Sequence, residues 1–66
     1  MRSTLADLRR ERGWSQQRLA DELGVSRQTV ISIEKGRFDP SLPLAFRIAG
    51  LFACRIEDVF TPDDAA

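Results

Sequence analysis

Histidine is missing from the 66 residues, and cysteine occurs once, as Cys54. A lone thiol excludes an internal disulfide. With no imidazole beside it there is no ligand set for zinc or a similar ion, so neither a metal nor a cofactor is expected. Catalysis is not expected either. The chain offers no nucleophile paired with a base, no phosphate-cradling glycine loop and no clustered carboxylates. Proline is absent before Pro40, and glycine in that stretch is confined to Gly13, Gly24 and Gly36. No apolar run approaches the roughly 20 residues that span a bilayer. No signal peptide, internal repeat or low-complexity tract is visible, which with the single thiol suggests a reducing, cytoplasmic setting.

Net charge is zero as well, which at first argues against nucleic acid, but the charges are segregated. From Met1 to Arg37, eight Lys/Arg face five acids, a balance of +3. From Phe38 to Ala66, two Arg face five acids, a balance of −3. A basic half that could meet phosphates is followed by an acidic half that would avoid them. The length allows one domain, read here as residues 1–61 with a short polar tail at 62–66. A core this small needs very regular helix packing, a partner subunit, or both.

The three early glycines divide the first half into helical pieces of similar length. The first helix is expected from about Ser3 to Arg12, capped by Ser3 or Thr4, with Leu5 and Leu8 inward. Ser15 caps the second, where Trp14 before the cap and Leu19 after it occupy hydrophobic-staple positions. Leu19, Ala20 and Leu23 form its inner face. Ser26 caps the third, with Val25 and Val30 as its staple and Val30 and Ile33 inward. After a turn at Asp39-Pro40-Ser41, with Ser41 as the expected cap, the fourth helix carries Leu42, Ala45, Ile48, Ala49 and Phe52 at helical spacing, with Pro43 in its first turn, where no N–H is needed. A short fifth helix runs from about Ile56 to Phe60. The expected fold class is all-α, five helices and no strands.

The informative segment is SQQRLADELGVSRQTVISIEKG, Ser15 to Gly36. Two helices of about eight residues joined by so short a turn must cross steeply, which is helix-turn-helix geometry over residues 16–35. The outward face of the third helix is Arg27, Gln28, Ile31, Ser32 and Lys35, nearly all hydrogen-bonding, as a helix that reads base edges requires. Apolar residues beyond the needs of the core, namely Leu44, Leu51, Val59 and Phe60, suggest an interface for a second copy.

In these residues the chain resembles the lambda/Cro-repressor, or xenobiotic-response-element, family of helix-turn-helix regulators, in its short stand-alone bacterial form. The likeness runs in register from Leu5 to Phe60. It takes in L-x-x-L-R at Leu5 to Arg9, G-W-S-Q at Gly13 to Gln16 and L-A at Leu19-Ala20. It continues with L-G-V-S-R-Q-T at Leu23 to Thr29, I-E-K-G at Ile33 to Gly36, P-S-L at Pro40 to Leu42 and I-E-D-V-F at Ile56 to Phe60. The resemblance implies a compact five-helix, lambda-repressor-like domain that binds double-stranded DNA as a homodimer on a palindromic operator, most simply as a repressor on the nucleoid of a bacterium or archaeon. By position it implies base reading by Arg27, Gln28, Thr29 and Ser32, and phosphate contacts from Gln16, Gln17, Lys35 and Arg37. It also implies a structural ion pair of Arg9 with Glu34. The chain departs from the family at Trp14, usually aliphatic, and at Arg18, often Glu. It departs again at Ala53-Cys54-Arg55, where Gly-x-Ser is favoured, and the short Ser32 reaches less far than the usual residue. A second reading is an antitoxin-like module that holds DNA with its basic half and another protein with its acidic half.

Overall fold

Among the described residues, four of the five helices end in the same way, and this repeated device sets the path of the chain. The computed structural model describes residues 1–63, so the last three residues of the expected tail, 64–66, lie outside it. In order along the chain come β1 (Arg2–Ser3), α1 (Leu5–Glu11), α2 (Gln16–Leu23), α3 (Arg27–Glu34), α4 (Leu42–Leu51), α5 (Ile56–Val59) and β2 (Phe60–Thr61). After each of the first four helices, one residue turns left-handed: Gly13 (φ 70°), Gly24 (φ 72°), Gly36 (φ 74°) and Ala53 (φ 53°). The N–H groups that follow then reach back to the last free carbonyls. Val25 N donates to Ala20 O at 3.0 Å and Arg37 N to Ser32 O at 2.9 Å, and Cys54 N closes the same ring onto Ala49 O at 3.0 Å. These are Schellman closures, in which the left-handed residue satisfies carbonyls that the helix leaves unpaired. Glycine adopts that conformation freely; Ala53 carries a Cβ there and does so at a cost.

The helix starts follow the serine caps. The Ser15 hydroxyl accepts from Arg18 N at 3.0 Å, the Ser26 hydroxyl from Thr29 N at 3.1 Å, and the Ser41 hydroxyl from Leu44 N at 3.3 Å. Two ends differ from expectation. Thr4 precedes α1 but makes no side-chain cap; its hydroxyl donates instead to Asp58 O at 3.2 Å. At α5 the missing serine is replaced from the other direction, because the Asp58 carboxylate accepts from Arg55 N at 3.0 Å. One half of a capping box therefore suffices to set the register of the last helix.

Strands are present, against the expectation of none, although the molecule remains essentially helical. Arg2 and Ser3 pair antiparallel with Thr61 and Phe60 respectively, and Thr4 N donates to Val59 O at 2.8 Å. Two-residue strands carry no periodicity that a sequence pattern could reveal. Net backbone hydrogen bonds are worth about 0.5–1.5 kcal/mol each, whereas a fully buried aliphatic side chain contributes about 1.5–3 kcal/mol. Leu5, Leu19, Val30, Ile33, Ile48 and Val59 are all essentially inaccessible. The core holds the fold, and the small ladder positions the end of α5 against the start of α1.

Within that core, α2 packs on α3, α1 on α3, and α4 bridges α2 to α5. Its composition corrects the expected partner surface. Leu44, Val59 and Phe60 are buried in the protomer's own interior, and Leu51 is partly buried against them. The buried face of α4 is rotated toward Leu44, Ala45, Ile48 and Ala49, so Leu42, expected inward, stands outside. The folded-back chain end consumes Val59 and Phe60 to close the core. The exposed large apolar side chains are instead Phe38, Leu42 and Phe46, at 44, 64 and 60% accessibility. Among the described residues, no helix is long and apolar enough to cross a membrane.

Candidate nucleic-acid interface

The third helix is presented by what lies behind it. Val30 and Ile33 are buried, so α3 is seated on α1 and α2 by its inner stripe, and its first turn is left exposed at Arg27 and Gln28. Arg27 and Gln28, in the first turn, are exposed, and Lys35 and Arg37, beyond the last turn, are exposed too. Ser32 is half-buried and lies between them along the helix. Thr29 is half-buried, and its hydroxyl lies 2.8 Å from the Ser26 hydroxyl, so that oxygen belongs to the cap network of α3. Of the four residues expected to read bases, Arg27 and Gln28 thus have the free reach, and Thr29 and Ser32 less of it.

The residues expected on phosphates form a second group. Gln16 and Gln17 occupy the first turn of α2, where unpaired backbone N–H groups and the positive end of the helix dipole favour an anion. Gln17 is exposed and donates to Asp21 one turn on, at 2.9 Å. Gln16 is half-buried and donates through Nε2 to Glu34 Oε1 at 3.2 Å. That bond ties the first turn of α2 to the last turn of α3, just before Lys35 and Arg37.

Glu34 also carries the expected ion pair. Arg9 Nε donates to Glu34 Oε2 at 2.7 Å and Arg9 Nη2 to Oε1 at 3.2 Å, while Arg9 Nη1 donates to Trp14 O at 2.9 Å. Both side chains are nearly buried, at 11 and 8% accessibility. Donating to Glu34 raises the guanidinium above its already high range, with burial opposing it. Arg9 thus spends its donors on α3 and on the turn between α1 and α2.

The family departures at Trp14 and Arg18 compensate each other. Trp14 lies against Phe52, ring centres 5.9 Å apart and tilted at 47°. The Arg18 guanidinium sits 4.9 Å from the Trp14 ring centre, and the Arg12 guanidinium lies 5.2 Å from Trp14 and 4.8 Å from Phe52. Arg18 also pairs with Glu22 at 2.9 Å. The larger ring therefore fills the corner with two cations on its faces, an attractive arrangement. Cys54 is half-buried, and desolvation followed by the nearby Asp58 charge pushes its thiol up from the ordinary value.

One positioning residue escaped the sequence pattern. Arg47, in α4, donates through Nη1 to Leu23 O at 3.0 Å, placing a cation at the negative end of α2 and fixing the turn that leads into α3. It is the one charged residue in LPLAFRIAGL, and that isolation was its signal.

Two helices joined at Leu23 to Ser26, the second anchored by its inner face and presenting exposed Arg27 and Gln28, define a DNA-binding helix-turn-helix domain. The chain belongs to the helix-turn-helix family, whose model matches residues 5–59, and whose members are DNA-binding transcriptional regulators of the xenobiotic-response-element type rather than enzymes. It is similar to an uncharacterised HTH-type transcriptional regulator of Methanocaldococcus jannaschii, 52% identical over 64 residues and 97% of either chain. It is also similar to one of Bacillus subtilis, 47% identical over 60 residues and 91% of either chain. Among solved structures, a hypothetical transcription factor from Neisseria superposes with a TM-score of 0.73 at 26% identity, over 82% of this chain and 61% of that one. A transcriptional regulator from Listeria innocua superposes equally, TM-score 0.73, at 22% identity over all of this chain and 66% of that one, a likeness of fold.

Proposed function

We propose that the chain is a sequence-specific regulator of transcription that binds double-stranded DNA as a homodimer on a palindromic operator and acts chiefly by occlusion, as a repressor. The observation that carries this reading is the free first turn of α3, where Arg27 and Gln28 are exposed on a helix held rigidly from behind. Arg suits guanine O6/N7 and Gln suits adenine N6/N7, so these two read bases, with Thr29 and Ser32 in minor roles. Gln16, Gln17, Lys35 and Arg37 hold phosphates and set register. The names of the relatives, HTH-type transcriptional regulators, support the regulatory role. Action in the cytoplasm, on the nucleoid, follows from that role.

Dimerisation supports specificity, since one helix reads only a few base pairs, while a two-fold pair places two reading helices about 34 Å apart, one turn of DNA. The side chains for it are Phe38, Leu42 and Phe46 rather than the four expected from the sequence. All three follow Arg37 in the acidic half of the sequence, and Leu42 and Phe46 stand one turn apart on the outer side of α4. The same surface is where an antitoxin-like chain would hold a different protein.

Selection of bound duplexes from a random pool tests the reading. A two-fold symmetric consensus with half-sites about one turn apart is expected. Recovery of no consensus would overturn sequence-specific regulation, and a co-purifying protein seated on the apolar face would favour the antitoxin-like reading.

A further inference from the structure

Glu34 accepts from two directions. Its Oε2 is taken by Arg9, and its Oε1 receives both Arg9 Nη2 and Gln16 Nε2, each at 3.2 Å. The first two bonds belong to the ion pair that locks α1 to α3. The third is different, because Gln16 is a residue of the DNA-facing turn of α2. We infer that Glu34 is a positioning residue for DNA binding, holding the Gln16 amide so that its second N–H is set toward a backbone phosphate. The inference rests on the DNA-binding reading given above.

The chemistry of the groups carries it. A glutamine amide has two N–H donors and one acceptor oxygen. With one N–H on Glu34, the plane of the amide is set and one donor is left over. Without Glu34 the side chain has three free torsions, which a phosphate contact would have to freeze. A lone carboxylate at this place would repel the phosphate. Arg9 removes that objection, since its two N–H bonds to Glu34 neutralise the carboxylate without occupying Gln16. Because Glu34 lies in the last turn of α3, the bond also links the seat of the reading helix to the phosphate contact on α2.

A buried ion pair replaced by apolar residues of similar size commonly leaves a fold intact. The double variant R9M/E34M therefore removes the acceptor without stranding a charge. Its affinity for a mixed-sequence 20-base-pair duplex is expected to fall about three- to tenfold, the range for freezing one flexible side chain. Q16A, which deletes the contact itself, is expected to lose at least as much, and R9M/E34M placed on Q16A less than a further twofold. Sequence discrimination and salt slope stay as in the native chain, which general damage to the fold would not allow. Losses that multiply in the triple variant, or no loss in R9M/E34M, would overturn the role of Glu34. An unmodified chain that binds no duplex at all would overturn the DNA-binding reading itself. Should R9M/E34M not fold, side-chain amide relaxation of the native protein decides. Gln16 is expected to be rigid and Gln28 mobile, and a Gln16 amide as mobile as that of Gln28 would overturn the inference.

Discussion

Replacing Glu34 by Gln keeps the side chain's size but leaves the Arg9 guanidinium, almost fully covered, without a counter-charge. Breaking one side of a buried pair costs about 3–5 kcal/mol. Small domains have roughly 5–15 kcal/mol in total, and each kcal/mol is worth about 4–8 °C at this size. E34Q is therefore expected to lower the midpoint of thermal unfolding by well over 10 °C, as followed by circular dichroism; a change of a degree or two would show that the pair contributes nothing. Cys54 gives a pH dependence of known sign. Its folded-state thiol titrates above the ordinary value, because burial and Asp58 disfavour the thiolate. The unfolded chain then loses its proton first as pH rises. Its contribution to stability is constant through neutral pH and is lost as pH climbs above the ordinary thiol value of 9.0. Urea unfolding between pH 8 and pH 10.5 should show a steeper alkaline decline in the native chain than in C54A; parallel curves would refute the shift. The same cause predicts slow modification by thiol reagents at neutral pH.

At the scale of the element, the helix ends are the most regular feature of the chain. Gly13, Gly24 and Gly36 each turn left-handed where the Schellman closure needs it, and Ala53 does the same with a Cβ. The left-handed conformation costs an L-residue about 1–2 kcal/mol, from which the greater freedom of glycine in the unfolded chain must be subtracted. A53G is expected to stabilise the protein by about 0.5–1 kcal/mol; destabilisation in chemical unfolding would mean that the alanine methyl has a packing role. For α3, position along the helix separates reading from holding. Arg27 and Gln28 stand in the first turn, which in the proposed reading enters the major groove, and Lys35 and Arg37 lie past the far end. K35A or R37A should weaken all duplexes equally and reduce the salt slope by about one. Q28A should instead narrow the gap between operator and random DNA by about 1–3 kcal/mol at an almost unchanged slope. Equal weakening of both duplexes by Q28A would remove α3 from the role of reading helix.

For the whole molecule, the question is what covers Phe38, Leu42 and Phe46. A 66-residue chain has little apolar area to leave exposed, and three large side chains on one acidic half suit a second copy. F46D should leave the helical signal intact, since Phe46 is 60% accessible. It should also weaken self-association and cut affinity for a two-half-site operator more than tenfold. Sedimentation of the native chain as a monomer at high micromolar concentration, free and on DNA, would refute the dimer.

Helix number, three serine caps, the turn at Gly24 and the exposed first turn of α3 were legible in the sequence, because each depends on contacts within about four residues. The capping oxygen, the left-handed glycine and the 3.6-residue apolar repeat are local devices whose partners sit one turn away. The Arg9–Glu34 pair, 25 residues apart, was legible only through likeness to a family, since no periodicity relates such positions. Other features were settled by tertiary structure alone. Arg47 on Leu23, Gln16 on Glu34, the two-residue ladder and the rotation of α4 that buries Leu44 and exposes Leu42 all depend on where a distant element comes to rest. The apolar pattern of LPLAFRIAGL fits more than one rotation. Packing of α4 against both α2 and α5 selects the one observed, which turns Leu44 and Ile48 inward beside Val59 and Phe60 and leaves Phe46 outside.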